Sequence, residues 1–217
     1  MRVQRTFAFL DLSGFTALTA TQGDERAVDL LTGFRNSVRQ VCSRRGVRIA
    51  KWLGDGAMLV AVDPRPALEA VLELQHRMRA DDAGAVLRGG LSAGAVILLE
   101  GDDYIGHAVN VAARLCDLAG GHEILAVPEL TASMPLWGAV ASSREAVLRG
   151  VERPLQVACL GLAPAGADGS EDPVCGLPLG PATAAACRVD AEGVRLLFCA
   201  DSCLETWENR AGSGTPA

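Results

Sequence analysis

The chain has 217 residues, 49% of them hydrophobic and 21% charged, with a formal net charge of -6. That is a globular composition, with room for one domain of about 150 residues and something smaller. The acidic balance argues against a protein that coats nucleic acid or an anionic membrane, but it admits nucleotides held in a local cationic pocket or by metal ions. No run reaches the ~18–20 apolar residues of a membrane span, and the start, Met1-Arg2-Val3-Gln4-Arg5, does not read as a secretory signal. The expectation is a soluble, cytoplasmic chain without membrane insertion. Its seven cysteines read as free thiols or metal ligands more than as disulfides.

Thr6 to Leu12 is a short β-rich apolar run ended by Ser13-Gly14. Asp24 reads as an N-cap, after which Ala27, Leu30, Leu31, Phe34, Val38, Val41 and Cys42 recur on one helical face. Val47 to Leu53 and Ala57 to Val62 are two short strands joined as a hairpin by Gly54-Asp55-Gly56. Pro64 and Pro66 open a second helix that runs to about Ala80. Leu87 to Leu99 reads as a glycine-interrupted strand, Gly101-Asp102-Asp103 as a loop, and Val109, Ala112, Ala113, Cys116 and Leu118 as apolar positions of a third helix. Glu123 to Val127 is a strand, and Arg144 to Leu162 a hairpin turning near Glu152-Arg153-Pro154. This β-α-β-β-α-β-α-β order mixes hairpins with crossovers, which predicts an α+β fold with helices packed on one mainly antiparallel sheet.

Lys51 is the only lysine among 20 basic residues. In a chain that otherwise uses arginine, its retention points to a site that wants a compact ammonium rather than a planar fork; a surface lysine is the bland alternative. Asp11 at the end of the first strand and Asp55 at the hairpin tip fall on adjacent strands in the predicted topology. Two carboxylates brought together would repel unless a cation sat between them, and hard oxygen ligands suit Mg²⁺ or Mn²⁺. Taken singly, each is more readily a solvated turn aspartate; taken jointly, with glycine beside both, they point to a metal site. Asn110 and Arg114 stand at i and i+4, so they share a helix face. That pair is a polar hot spot or a helix-surface pair.

These residues fall into a pattern. Phe9-Leu10-Asp11-Leu12-Ser13-Gly14-Phe15-Thr16, then Lys51-x-x-Gly54-Asp55-Gly56, then Asp103-x-x-Gly106-x-x-Val109-Asn110-x-Ala112-x-Arg114 resembles the class III nucleotidyl cyclases over roughly residues 5–162. The short stretch between Lys51 and Asp103 resembles the subgroup without an inserted dimerisation arm. The resemblance implies a ferredoxin-like βαββαβ core. It implies that Asp11, Asp55 and the backbone carbonyl of Leu12 hold two Mg²⁺ or Mn²⁺ ions, that Lys51 and Asp103 read the purine, that Asn110 orients the ribose, and that Arg114 stabilises charge on the phosphates. It further implies a head-to-tail homodimer with shared sites, the aspartates from one protomer and the other four residues from its partner. Adenine offers an acceptor at N1 and a donor at its exocyclic amine, which an ammonium and a carboxylate complement. The reading is therefore an adenylate cyclase acting on ATP. A guanylate or mixed-purine cyclase, and a non-catalytic nucleotide- or metal-responsive module on a cyclase scaffold, stay open beside it. Trp52 is bulky for this family and is expected to alter the base pocket. Arg149 and Arg153 are candidates for the triphosphate-binding cation. No regulatory domain is expected ahead of the catalytic one.

Ala163 to Ser170 reads as a flexible linker by composition. Beyond it, Asp172-Pro173-Val174-Cys175-Gly176 and Phe198-Cys199-Ala200-Asp201-Ser202-Cys203 resemble the YHS domain, a small treble-clef-like metal-binding module, over about residues 171–209. Thiolates of Cys175, Cys199 and Cys203 suit Zn²⁺ or another thiophilic ion, which would stabilise so short a fold. Cys187 is a fourth ligand or a small core residue. Cys42, Cys116 and Cys159 fall on apolar faces and read as core. The module reads as poor in helix, and residues 210–217 as a disordered tail.

Overall fold

The structure, a computed structural model, describes residues 1–80, 85–99, 103–166 and 169–212. Of the expected elements, residues 101 and 102 of the loop, 167 and 168 of the linker and 213–217 of the tail lie outside the described residues. The chain divides into two compact units. One comprises Met1–Met134 and Val140–Gly161; the other comprises Pro135–Ala139 and the residues from Leu162 onward. The smaller unit thus takes a five-residue segment from within the expected 1–162 domain. No described helix is long and apolar enough to cross a membrane.

The larger unit is an α+β layer structure. Its strands are β1 (Arg2–Ser13), β2 (Arg48–Leu53), β3 (Gly56–Ala61), β4 (Val86–Leu98), β5 (Tyr104–Ile105), β6 (Ile124–Ala126), β7 (Gly138–Ala146) and β8 (Leu155–Leu162). Their order in the sheet is β2-β3-β1-β4-β6-β8-β7, with β5 on β4. β4 and β6 run parallel, while β1 is antiparallel to both β3 and β4. The central strands β1 and β4 bury Phe7, Leu10, Leu12, Leu87 and Leu91, each at most 2% exposed, which fixes their register against a one-residue slip.

Four helices accompany this sheet: α1 (Phe15–Gln22), α2 (Asp24–Arg45), α3 (Pro64–Ala80) and α4 (His107–Leu118). α3 and α4 pack on β1 and β4, and α2 packs on α3. α2 buries Ala27, Leu30, Phe34, Val38, Val41 and Cys42, the stripe its sequence period predicts. Gly23, not Asp24, is its N-cap residue, and Asp24 lies in the first turn. α2 and α3 are also locked by a buried ion cluster. Arg45 donates to Glu73 at 2.9 Å and to Glu69 at 3.2 Å, Arg44 also binds Glu73, and the Arg45 and Glu73 side chains are fully buried. α4 comes down on β4 at Gly90, where a Cβ would lie 2.3 Å from the Ala112 carbonyl and 2.3 Å from the Cys116 nitrogen. Only glycine admits the helix that caries Asn110 and Arg114 this close to the sheet.

In the smaller unit, β9 (Ser170–Glu171) pairs with β10 (Pro178–Leu179), β11 (Ala186–Val189) with β12 (Arg195–Phe198), and α5 (Asp201–Gly212) follows. A cysteine knuckle, a hairpin and a helix in this order make a treble-clef-like arrangement. Two expectations are corrected here. The described part of the linker is tied into this unit: Ala163 N–H donates to the Trp137 carbonyl at 2.8 Å, and the Ala165 carbonyl lies where a Cβ on Gly180 would clash. Residues 210–212 continue α5 rather than opening a tail, so the module is less poor in helix than its sequence suggests.

Candidate active site

Asp11 stands near the end of β1 with Gly56 directly opposite on β3 and Arg88 directly opposite on β4. Asp55 is the next residue back from Gly56, in the β2–β3 turn. A Cβ on Gly56 would lie 2.5 Å from the Leu10 carbonyl and 3.4 Å from Asp11 Oδ1, so the missing side chain is what leaves Oδ1 open towards the turn. The turn itself is tethered by Arg35 of α2, whose Nη2 donates to the Gly54 carbonyl at 3.0 Å. Leu12 is 2% exposed with its side chain on the face opposite Asp11, so only its backbone can serve this site. Asp11 lines a cavity of about 310 Å³ together with Phe9, Leu53, Arg88, Ala113 and Asp117. An all-oxygen donor set beside a cradle that any Cβ would fill fits Mg²⁺ or Mn²⁺.

Arg88 was not singled out by the sequence reading. Its Nε donates to Asp11 Oδ2 at 2.8 Å, and its Nη2 lies 2.6 Å from the same oxygen as an ion pair. A signal existed: Arg88 is the one charged residue in the apolar run 87–99. Burial pulls the Arg88 pKa down, but the hydrogen bond and charge of Asp11 outweigh it and hold the guanidinium above its ordinary value.

Lys51 and Asp103 are brought together, with Nζ donating to Oδ1 at 2.6 Å and side chains 44% and 52% exposed. The Lys51 hydrogen bond, then its charge, holds the Asp103 carboxyl below its ordinary range. Asp103 is positioned by its neighbour. Tyr104 is buried edge-on against Phe7 with ring centroids 5.3 Å apart, and its hydroxyl accepts from Arg48 at 2.6 Å. Trp52 is on the other face of β2, because successive strand residues alternate. The Arg35 and Arg39 guanidinium carbons each lie 5.3 Å from its ring centroid. The expectation that Trp52 alters a pocket at Lys51 is therefore corrected: its bulk is spent holding α2 to the hairpin.

On α4, Ala108, Val111, Ala112, Leu115 and Cys116 are buried, and Asn110 and Arg114 share the exposed face. The Asn110 amide makes no side-chain hydrogen bond among the described residues. Arg114 donates to Asp117 at 2.9 Å across one helical turn, with side chains 44% and 64% exposed, a weak pair that a phosphate can displace. Arg114 lines a second cavity, about 290 Å³, with Asp117, Val147, Leu148 and Arg149. Of the two candidate triphosphate cations, Arg149 shares the Arg114 cavity; Arg153 does not line it.

In the smaller unit Cys175, Cys199 and Cys203 converge. The Cys199 sulfur lies 3.5 Å from that of Cys175 and 3.5 Å from that of Cys203. With Asp172 they form a buried group whose ligand atoms all lie within 4.8 Å of one another. The Asp172 carboxylate is already engaged: Oδ1 accepts from the Val174 and Cys175 amides at 2.8 and 3.2 Å, and Oδ2 from the Cys199 amide at 2.8 Å. It ties the knuckle to the strand end that carries Cys199. Cys187 is exposed on β11 and outside this group, so it is neither the fourth ligand nor core. Cys42 and Cys116 are buried, and burial, with smaller contributions from nearby acidic groups, pushes both thiols up to about 12; Cys159 is half-buried.

No protein-family model matches the chain. It is 38% identical over 147 residues to an uncharacterized protein of Mycobacterium tuberculosis, a match covering 68% of this chain and 38% of that protein. It is 35% identical over 117 residues to an adenylate cyclase of Streptomyces coelicolor, covering 54% of this chain and 30% of that one. The chain thus spans well under half the length of these relatives. Among solved structures, the adenylyl cyclase CyaB of P. aeruginosa superimposes with a TM-score of 0.62 at 24% identity, over 77% of this chain and 97% of that one. Solved guanylyl cyclases share the fold as well. The chain has the class III adenylate/guanylate cyclase-like fold, and its sequence relatives include adenylate cyclases.

Proposed function

We propose that the larger unit is the catalytic domain of an adenylate cyclase, which converts ATP to cyclic AMP and pyrophosphate at sites shared across a homodimer. The observation that carries this reading is the separation of the proposed groups within one protomer. Asp11, paired with Arg88, lines one cavity, while Arg114 and Arg149 line another, and Asp117 lines both. A nucleotide triphosphate needs cations on its phosphates and carboxylates for its metal ions at the same time. A second copy, docked head to tail, would bring the two sets together.

In this reading Asp11, Asp55 and the Leu12 carbonyl hold two Mg²⁺ or Mn²⁺ ions, which when bound supply Lewis acidity at the phosphates and lower the pKa of the ribose 3′-hydroxyl. Asn110 fixes the ribose so that its 3′-oxygen faces the α-phosphorus, a positioning role. Arg114 places fixed positive charge where the attacked phosphorus develops negative charge. Lys51 donates to adenine N1 and Asp103 accepts from the exocyclic amine. Their mutual 2.6 Å pair keeps each charge compensated and in place before the base arrives. Guanine would present a donor to the ammonium and an acceptor to the carboxylate, leaving both unpaired. For the smaller unit we propose a metal site built on Cys175, Cys199 and Cys203, of a kind that suits Zn²⁺ or another thiophilic ion.

The test is direct. Purified protein is supplied with ATP or GTP and with Mg²⁺ or Mn²⁺, and cyclic product is quantified against an Asp11→Ala control. Cyclic AMP well above that control is expected. No cyclic nucleotide above the control with either metal would overturn the cyclase reading, and cyclic GMP as the main product would overturn the role given to Lys51 and Asp103.

A further inference from the structure

The one strong contact of Asp11 is internal. Arg88, directly across the β1–β4 ladder, sets two nitrogens against a single oxygen: Nε donates to Oδ2 at 2.8 Å, and Nη2 lies 2.6 Å from it. A guanidinium usually meets a carboxylate fork to fork, using both oxygens. Here Oδ1 is left outside the pair, on the side of Gly56 and the Asp55 turn. From the same position Arg88 also reaches α4. Its Nη1 is 3.5 Å from the Asp117 carbonyl in the last turn of α4, at the negative end of that helix. The side chains of Asp11 and Arg88 are 26% and 29% exposed, so the pair can open without unburying a charge from the core.

We propose that Arg88 is a positioning residue that acts as the internal counter-cation of the metal carboxylates. It neutralises Asp11 while the site awaits substrate, leaves Oδ1 to receive one ion, and holds Oδ2 until the charge of an arriving ligand offsets its own. Free divalent ions then bind weakly, because a fixed unit charge a few ångströms from a divalent ion lowers its affinity on the order of tenfold even in a water-like dielectric. A nucleotide triphosphate, with its own negative charge, offsets Arg88 and lets the site fill. The arrangement favours metal that arrives with nucleotide over metal alone. This inference rests on the reading of Asp11 as a metal ligand.

The test uses the nucleotide-free full chain. Bound Mn²⁺ is followed by loss of the free-ion electron paramagnetic resonance signal in wild type, Arg88→Gln, Arg88→Lys and Asp11→Asn, with circular dichroism to check the fold. Arg88→Gln should bind Mn²⁺ about tenfold more tightly than wild type, and Arg88→Lys, which keeps the charge but loses the planar guanidinium that sets two nitrogens against Oδ2, should fall between them. Asp11→Asn should lose this binding. Equal or weaker Mn²⁺ binding by Arg88→Gln, with Asp11→Asn still defective, would overturn the counter-cation role alone. Wild-type Mn²⁺ binding by Asp11→Asn would overturn the metal reading and this inference with it. Should the glutamine variant fail to fold, Arg88→Lys carries the comparison in the same titration: tighter binding than wild type supports the role, and unchanged or weaker binding refutes it.

Discussion

Gly56 offers the sharpest test of how the carboxylate site is built. An alanine there would put its Cβ 2.5 Å from the Leu10 carbonyl, in the central β1–β3 ladder. An ordinary carbon–oxygen contact is about 3.3 Å, so the strands must part by about 0.8 Å at the pair that aligns Asp11. The obstruction is backbone, not the end of a side chain, so no rotamer change relieves it. Overpacking of this kind costs about 1–3 kcal/mol, which for a unit of this size lowers Tm by about 2–4 °C per kcal/mol. The displacement also reaches chemistry, because misplacing a reacting group by about 1 Å can cost on the order of 10²-fold in rate. Gly46→Ala is the control. Gly46 ends α2 at φ 65 with open space around its Cβ position, so alanine there is strained without touching Asp11. Thermal unfolding by circular dichroism and turnover with Mn²⁺ are measured for both variants. Both should lose stability, and only Gly56→Ala should lose turnover by about two orders of magnitude. Wild-type turnover in Gly56→Ala would refute the argument that this close approach sets the metal carboxylates.

Other expectations follow from the same geometry. Trp52→Ala should lower Tm, because it removes two stacked guanidinium contacts worth about 0.5–1 kcal/mol each at exposed sites, yet leave the ATP-to-GTP rate ratio unchanged; a changed ratio would return Trp52 to the base pocket. Mixing Asp55→Ala with Asn110→Ala, each inactive alone, should restore part of the cyclase activity, and no recovery in dimers shown to exchange subunits would refute shared sites. Glu123 is held at about 2, first by its hydrogen bond from Arg144 and then by the Gly120 amide, so it binds its proton less readily folded than unfolded. The stability it adds is therefore present above about 4.5 and is lost as pH falls towards 2; Glu123→Gln should flatten acid unfolding across that window, and an unaltered acid profile would contradict the pairing. A Cys199→Ser/Cys203→Ser variant should hold less zinc by elemental analysis than the purified wild-type chain, and equal metal content would exclude that pair as ligands.

Two of the regular helices, α2 and α4, were legible because their apolar positions recur at the helical period, and α3 because Pro64 and Pro66 mark its start. α1 was not, since Leu18 is its one buried residue and its sequence shows almost no amphipathic period. β7 begins at Gly138, earlier than Arg144, because most of its residues are exposed and show no alternation. α5 escaped for a related reason: in the metal-ligand pattern Cys203 reads as a thiol first and a helix residue second. The site residues were legible as types, and the family resemblance set Lys51 with Asp103, but their contacts could not be read from spacing. That Lys51 meets Asp103 depends on a contact spanning 52 residues, and that Asp11 meets Arg88 depends on strand register. Asp172 stood in plain view beside Cys175, and its Asx-turn chemistry was the available signal for its structural role.

The buried ion cluster of the larger unit and the pairs at the proposed site differ in exposure. Arg45 and Glu73 are fully buried, and removing either partner of such a pair leaves an uncompensated charge at about 3–5 kcal/mol. That cluster fixes α2 on α3 and is not free to open. The pairs at the proposed site, Asp11–Arg88, Lys51–Asp103 and Arg114–Asp117, have side chains from 26% to 64% exposed. Pairs so exposed contribute little to stability and exchange readily with solvent, ions or a ligand. In the proposed reading each sets a charge in position and keeps it compensated until a stronger partner arrives: a metal ion for Asp11, a purine edge for Lys51 and Asp103, a phosphate for Arg114. A site built this way stays ordered in the absence of substrate, and the energy needed to release its charges stays small.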